Sequence, residues 1–349
     1  MNTKFKNIKI GVVGAQGLVG KKILGLLTNE YIVENAELIL FVSPRSIGKK
    51  IKVGNQFYKG QALTRENLET IRPDFVLFAA GGKISEAFAP IVAEIGGIAI
   101  DNSSVFRMVG NVPLIVPEVN FDEITHIKQE LEKPIENRKG IIIANPNCST
   151  IQSVAALKPL DDAFNVRRVI YSTYQAVSGS GKDGIGDFHR TRKGEKNEFY
   201  PYPIYNNLIP HIDSFLESGY TKEEQKMIDE TRKILCKPNL AVTATTVRVP
   251  ILNCHSVAMN IEFENNIEIE DVMEVLYKAQ EDNRGIIVFD NQKNDMYPMP
   301  IIVDDTDDVY IGRIRIDEGQ PNTINLFCVA DNLRKGAATN AVQILYYLI

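Results

Sequence analysis

The stretch from Ile8 to Gly20 narrows the possible folds more than any other part of this chain. A short apolar strand, Ile8 to Val13, runs into Gly14-Ala15-Gln16-Gly17-Leu18-Val19-Gly20, and a helical pattern follows through Leu24, Leu26 and Leu27. Strand, glycine turn and helix together open a dinucleotide-binding βαβ unit. The glycines let the backbone approach a pyrophosphate, whose charge then rests on the helix N-terminus. An ordinary tight βα turn is the plain alternative, and the setting between strand and helix favours the nucleotide.

The alternation continues. Leu38 to Val42 and Phe75 to Ala79 read as strands, the latter ending in Ala80-Gly81-Gly82. Ser85 to Ile95 reads as a helix, and Ile98 to Ile100 as a strand ending in Asp101-Asn102-Ser103-Ser104. That rhythm predicts a parallel, doubly wound sheet of Rossmann type. An NAD site places an acidic residue at the end of its second strand, for the ribose 2′-hydroxyl. Here that position holds Ser43-Pro44-Arg45-Ser46-Ile47-Gly48-Lys49-Lys50. The Arg45 fork and the Ser46 donor suit a 2′-phosphate that a carboxylate would repel, so the expected cofactor is NADP. A solvated basic loop is the plain reading of the same residues.

Cys148 is the candidate nucleophile. The apolar run Ile142-Ile143-Ala144 ends in Asn145-Pro146-Asn147, and Cys148-Ser149-Thr150 open a new apolar-periodic segment. This reads as strand, tight turn and helix N-terminus. A thiol there feels the positive end of the helix dipole, which favours the nucleophilic thiolate. A lone buried cysteine is more often structural, and the company Cys148 keeps decides the matter.

After Cys148 the pattern changes. Longer strands are predicted at Val169 to Gln175, Ala241 to Val249, Ser256 to Phe263, Val309 to Ile316 and Thr323 to Val329, with helices at Glu223 to Leu235 and Ile269 to Gln280. This is an α+β pattern with a mixed or antiparallel sheet. Arg334 to Leu348 reads as an amphipathic helix that returns to the nucleotide domain, and Phe121 to Lys139 as a charged surface insertion. The expected division is residues 1–147 for NADP binding, completed by a C-terminal helix over 331–349, and 148–330 for catalysis and dimerisation.

A length of 349 residues accommodates two such domains. A formal net charge of −5 points to neither nucleic acid nor an anionic membrane as a partner. Lys4, Lys6 and Lys9 precede no continuous apolar stretch of the kind a signal peptide needs, and no apolar run is long enough for a bilayer. Cys148, Cys236, Cys254 and Cys328 are widely spaced, and with four histidines they make no zinc-type pattern, so no metal is expected. Reduced thiols place the protein in the cytoplasm.

Over nearly its whole length the chain resembles the aspartate-β-semialdehyde dehydrogenase family. The matching stretches are Gly14 to Gly20, Arg45 to Lys49, Asp101 to Met108, Val112 to Asn120, Asn145 to Thr150, Ser172 to Gly179, Val247 to Pro250 with His255-Ser256, and Asp331 to Ala338. Their common order makes the match specific. Departures are Gln16 where Thr is usual, Cys254 and Val257 where Gly and Glu usually flank His255-Ser256, a longer segment before Cys148, and a shorter one after Gly186.

The resemblance implies reductive dephosphorylation of L-4-aspartyl phosphate by NADPH to L-aspartate 4-semialdehyde and phosphate. This step serves lysine, methionine, threonine and diaminopimelate biosynthesis, here in a homodimer or homotetramer. It implies Cys148 as the thioester-forming nucleophile, His255 as general acid/base and Gln175 as the amide that positions the acyl group. Arg248 would bind the substrate carboxylate, Glu223 its ammonium, and Arg107, Lys226 and Asn147 its phosphate. Gly14, Gln16, Gly17, Leu18, Val19, Arg45, Ser46, Ser178, Gly179 and Asn332 would hold the cofactor. Taken singly, the charged residues have surface-pair readings and His255 a core reading. An N-acetyl-glutamyl-phosphate reductase is the nearest alternative, although it would want Gly in place of Asn147 and has no free amine to bind. A glyceraldehyde-phosphate-type dehydrogenase is more distant, and an inactive NADP-binding paralogue would have no use for the four residues Cys148, Gln175, Arg248 and His255.

Overall fold

The computed structural model describes residues 8–28 and 36–349, so Lys4 and Lys6 lie outside the described residues. The described chain forms two compact units, 1–146 with 337–349, and 147–336.

In the first unit the strands are β1 (Ile8–Val13), β2 (Ala36–Val42), β5 (Gln61–Ala62), β6 (Phe75–Phe78), β7 (Ile98–Asp101) and β8 (Ile141–Ala144). They lie in the order β5-β2-β1-β6-β7-β8 and every pairing is parallel. The apolar runs are continuous because both faces of the sheet are covered. Ile10, Leu38, Leu40, Phe75, Leu77, Ile98 and Ile100 join one cluster, and their neighbours Ile39, Phe41, Val76, Phe78 and Ala99 join another. That division is the period-2 alternation of the strand. The helices are α1 (Leu18–Leu26), α2 (Arg65–Ile71), α3 (Gly82–Glu94), α4 (Pro117–Asn120) and α5 (Ile127–Leu131).

Three features of this unit depart from expectation. A hairpin of β3 (Lys50–Val53) and β4 (Gln56–Lys59) follows the basic turn, where the lysines gave no apolar alternation to read. The segment 121–139 is no mere surface insertion: Ile124, Ile127 and Leu131 are buried in the cluster with Ile10. The chain end is a π-helical stretch, Arg334–Thr339, followed by α11 (Asn340–Leu348). As expected of an amphipathic helix returning to the nucleotide unit, α11 buries Asn340, Ala341, Val342, Ile344, Leu345 and Leu348, most of them in that same cluster, and leaves Tyr347 exposed.

In the second unit the strands are β9 (Val166–Gln175), β10 (Ala241–Arg248), β11 (His255–Phe263), β12 (Ile286–Val288), β13 (Val309–Ile316) and β14 (Thr323–Ala330), in the order β10-β9-β11-β14-β13-β12. β9 pairs parallel with β10 and β12 with β13; the other pairs are antiparallel, so the sheet is mixed. Its helices are α6 (Cys148–Phe164), α7 (Gly181–Arg192), α8 (Lys222–Ile234), α9 (Ile269–Glu281) and α10 (Pro300–Val303). α6 lies against β9, β11, β13 and β14 and against α8 and α9, which explains its burial on nearly every side. α7 escapes sequence reading because Gly181, Gly184 and Gly186 depress its helix propensity. Gly184 is required there, since a Cβ would come within 2.6 Å of the Tyr200 hydroxyl.

Candidate active site

The first unit carries the nucleotide turn. Gly14 has φ +82°, a left-handed conformation, and a Cβ there would lie 2.5 Å from the Ala79 carbonyl oxygen. A Cβ on Gly20 would collide with the Gly14 carbonyl, and one on Gly17 would come to 3.2 Å from it. Gly17 is the N-cap of α1 and has no side chain to satisfy the first amides, so the Leu18 and Val19 N–H groups are left for a ligand. Gln16 is exposed beside them. This cradle admits backbone and nothing larger, and so fits a pyrophosphate. β1 sits between β2 and β6, the point where strand order reverses and where such sheets bind nucleotides. Arg45 and Ser46 lie in a 3₁₀ turn, Pro44–Ser46, that follows β2; Arg45 is exposed and Ser46 buried. The stretch from Ala79 to Gly82 after β6 belongs to the same edge and was missed. Gly81 has φ +90° with open space where a Cβ would be, and that glycine pair was the available signal.

Arg107 follows β7 and is buried. Its Nε donates to the Asn145 carbonyl and one terminal nitrogen to the Asn102 carbonyl, both at 2.9 Å. The Asn145 side chain donates to Asn102 Oδ1 at 2.9 Å and accepts from Asn340 Nδ2 at 2.7 Å. The turn before Cys148 is therefore held by side-chain amides, one of them from α11.

The second unit gathers the remaining candidates at one end of its sheet. Register pairs Arg248 with Gln175, and His255 opens β11 opposite Ala330. Cys148 begins α6, as expected, with Asn147 as its N-cap. Asn147 Oδ1 accepts from the Ser149 and Thr150 N–H groups at 2.9 and 3.2 Å, a cap that contributes about 1 kcal/mol. One turn along α6, Gln152 Nε2 donates to the His255 carbonyl at 3.1 Å, which ties the nucleophile's helix to the histidine.

Glu223 is a buried hub. Its Oε1 accepts from Asn147 Nδ2 at 2.8 Å and Gln175 Nε2 at 3.2 Å, and its Oε2 accepts from Lys226 Nζ at 3.2 Å. Lys226 also meets Asp213 at 2.8 Å. Burial opposes its charge, but attraction to Glu223 and Asp213 outweighs burial and holds its pKa above the usual lysine value. The pair read as a surface contact in isolation is thus part of the site. Asn147, expected at the phosphate, spends its side chain on the helix cap and on Glu223.

Arg248 and His255 each keep a buried nitrogen without a partner among the described residues. Arg248 donates to the Ala176 carbonyl at 2.6 Å, yet its buried Nε has no partner among the described residues. The Ala176 N–H donates to His255 Nδ1 at 3.1 Å, so the neutral ring carries its proton on Nε2. That Nε2 is also buried without a partner among the described residues. Both lie against Gly179, where a Cβ would come within 3.0 Å of Arg248 Nη1 and 3.1 Å of His255 Nε2. Burial lowers the His255 pKa well below its usual value and the Arg248 charge pushes the same way, with a backbone hydrogen bond at Cys254 offsetting part of the shift. Ser178 Oγ accepts from Asn332 Nδ2 at 3.0 Å, and Asn332 Oδ1 accepts the Cys254 N–H at 3.0 Å. The expected cofactor residues Ser178, Gly179 and Asn332 therefore lie beside Cys254, His255 and Arg248. Two buried donors left unpaired call for an acceptor, such as a carboxylate or a developing oxyanion.

A doubly wound sheet with a glycine cradle, and a second unit with a helix-capped thiol, a buried arginine and a neutral histidine, define a dehydrogenase that handles an acyl or aldehyde group through cysteine. Comparison with known proteins agrees. A family model for the NAD-binding domain of semialdehyde dehydrogenases matches residues 9–127, and one for their dimerisation domain matches residues 157–335. The aspartate-semialdehyde dehydrogenase of Campylobacter jejuni is 44% identical, over 97% of this chain and 96% of its own. A solved Vibrio cholerae aspartate semialdehyde dehydrogenase II, complexed with ASA, superposes with a TM-score of 0.87 at 39% identity, covering 98% of each chain. A Candida albicans aspartate semialdehyde dehydrogenase solved with NADP gives 0.77 at 26% identity, covering 98% of each chain. This chain belongs to the aspartate-semialdehyde dehydrogenase family.

Proposed function

We propose that the protein reduces L-4-aspartyl phosphate to L-aspartate 4-semialdehyde and phosphate with NADPH, through a thioester on Cys148. Cys148 Sγ forms a bond to the acyl carbon as the carbon–oxygen bond to phosphate breaks. His255 Nε2–H donates to the acyl oxygen as negative charge gathers there, first in acylation and again when the tetrahedral adduct forms. Reduced NADP, when bound, supplies the hydride that takes the acyl carbon to the aldehyde level. The carbon–sulfur bond then breaks and the thiolate returns to its place at the start of α6. Gln175 orients the acyl group, Arg248 takes the α-carboxylate with its unpaired Nε, and Glu223 takes the ammonium. Lys226 and Arg107 take the phosphate.

Gly14, Gln16, Gly17, Leu18 and Val19 would hold the pyrophosphate, and Arg45 with Ser46 the 2′-phosphate. Ser178, Gly179 and Asn332 would serve the nicotinamide end. The pathways served are those of lysine, methionine, threonine and diaminopimelate. The free thiols suit a reducing compartment, and the cytoplasm is where we place the reaction. The partly exposed row Ser172, Ala258 and Phe327 on β9, β11 and β14 is the face we assign to a second copy in a homodimer. A homotetramer would pair two such dimers.

The observation that carries this reading is the pair of buried donors, Arg248 Nε and His255 Nε2, that find no partner among the described residues, on two side chains packed against Gly179 with His255 tied through Gln152 to the helix of Cys148. Buried Glu223, available to an ammonium, favours a free amino acid over an N-acetylated one. The reverse reaction tests it: aspartate semialdehyde, phosphate and NADP should produce NADPH, with arsenate able to replace phosphate. No NADPH from this mixture overturns the assignment.

A further inference from the structure

The last polar contact at the nucleophile's turn comes from a residue that neither the motifs nor the expected roles include. Glu230 lies on α8, seven residues after Glu223 and so on the same face of the helix. It is buried to 1% exposure, and its Oε2 accepts the Asn147 backbone N–H at 2.6 Å. The same asparagine gives its side-chain amide to Glu223 Oε1 at 2.8 Å. Two carboxylates two turns apart on α8 therefore hold the residue before Cys148, one by its backbone and one by its side chain.

We infer that Glu230 is a positioning residue for catalysis: it fixes the Asn147 peptide, and through it the direction of the Cys148 side chain. The argument is one of degrees of freedom. Asn147 caps α6 with φ −60° and ψ 142°, so its backbone is not helical, and α6 holds it through its carbonyl and side chain but not through its N–H. The Asn147 N–H precedes the helical amides and cannot pair within the helix. Without Glu230 a buried donor would be left unmade, and that penalty selects the one peptide orientation that reaches the carboxylate. A short charge-assisted bond is the strongest restraint available there. Glu223 differs in kind, because its carboxylate also meets Gln175 and Lys226 and is assigned to the substrate ammonium. Glu230 acts one residue away from Cys148, through the Asn147 peptide.

This inference rests on Cys148 being the nucleophile, so the test includes Cys148→Ser. The decisive variants are Glu230→Asp, which keeps the charge but withdraws the acceptor by one methylene, and Glu230→Gln, which keeps an acceptor oxygen at full length. Steady-state kinetics of the reverse reaction and the rate of Cys148 alkylation by iodoacetamide would be measured for each. Displacement by about 1 Å can cost on the order of 10²-fold in rate. Glu230→Asp should accordingly lower kcat by about 10- to 100-fold, with KM for aspartate semialdehyde within about threefold. Glu230→Gln should recover most of that loss. Peptide mapping should separate the Cys148 rate from that of exposed Cys236, and the Cys148 rate should change in Glu230→Asp and return in Glu230→Gln. A Glu230→Asp enzyme with wild-type kcat, or one whose KM rises as far as kcat falls, overturns the positioning role. Glu230→Gln as impaired as Glu230→Asp also overturns it, since the bond's acceptor would then be irrelevant. An active Cys148→Ser enzyme instead sinks the nucleophile assignment beneath it.

Discussion

At the scale of single residues, the neutral state of His255 shapes the chemistry most directly. Its depressed pKa keeps the ring uncharged across the neutral range, and its proton sits on Nε2 because Nδ1 accepts from Ala176. In the proposed mechanism it therefore enters the cycle as a donor toward the acyl oxygen. Replacing it by alanine should lower kcat by roughly 10²- to 10⁴-fold, with a smaller effect on KM. Arg248→Lys keeps the charge and loses the planar fork, so it should chiefly raise KM for aspartate semialdehyde. Because the folded pKa lies below the ordinary 6.5, any acid limb of kcat that belongs to His255 should fall well below pH 6.5. Steady-state profiles of the two variants check this; a His255→Ala enzyme with normal kcat and a raised KM would reassign the ring to binding. Cys254, just before it, has φ +71°, a left-handed conformation that costs a residue with a Cβ about 1 kcal/mol. The family's usual glycine suits that conformation, so the departure visible in the sequence was a departure in backbone strain.

At the scale of elements, strand ends and glycines were legible and close approaches were not. The three strands that deliver Gln175, Arg248 and His255 announce themselves by length and alternation, and the nucleotide turn by its glycine spacing. α7 and the β3–β4 hairpin were hidden by glycine content and charge. Glu230 was hidden because a buried carboxylate in a charged helix looks like any solvated one until tertiary packing covers it. The π-helical stretch Arg334–Thr339 is a further case. A Cβ on Gly336 would lie 2.9 Å from the Cys148 Cβ, so this irregular turn is pressed directly against the nucleophile. Gly336→Ala should displace the thiol and lower kcat by about 10- to 100-fold. The far-ultraviolet circular dichroism spectrum should stay unchanged. Wild-type kcat in a folded Gly336→Ala enzyme would show that the contact relaxes without moving the sulfur.

At the scale of the whole molecule, the sequence divides its labour as its patterns do. A parallel sheet covered on both faces carries the glycine cradle, and a mixed sheet with one partly exposed face carries Gln175, Arg248 and His255, with the thiol and Glu223 on helices packed with it. The acyl chemistry is concentrated on groups of the second unit, with Cys148 at their centre. The central claim is a covalent acyl-enzyme at that residue, and the mass of the intact protein reports on it most directly. Incubation with L-4-aspartyl phosphate in the absence of NADPH should add one aspartyl group per chain. Peptide mapping should place it on Cys148, neutral hydroxylamine should remove it, and Cys148→Ser should lack it. An unmodified wild-type protein under conditions that support turnover, or an adduct that persists in Cys148→Ser, would contradict the account.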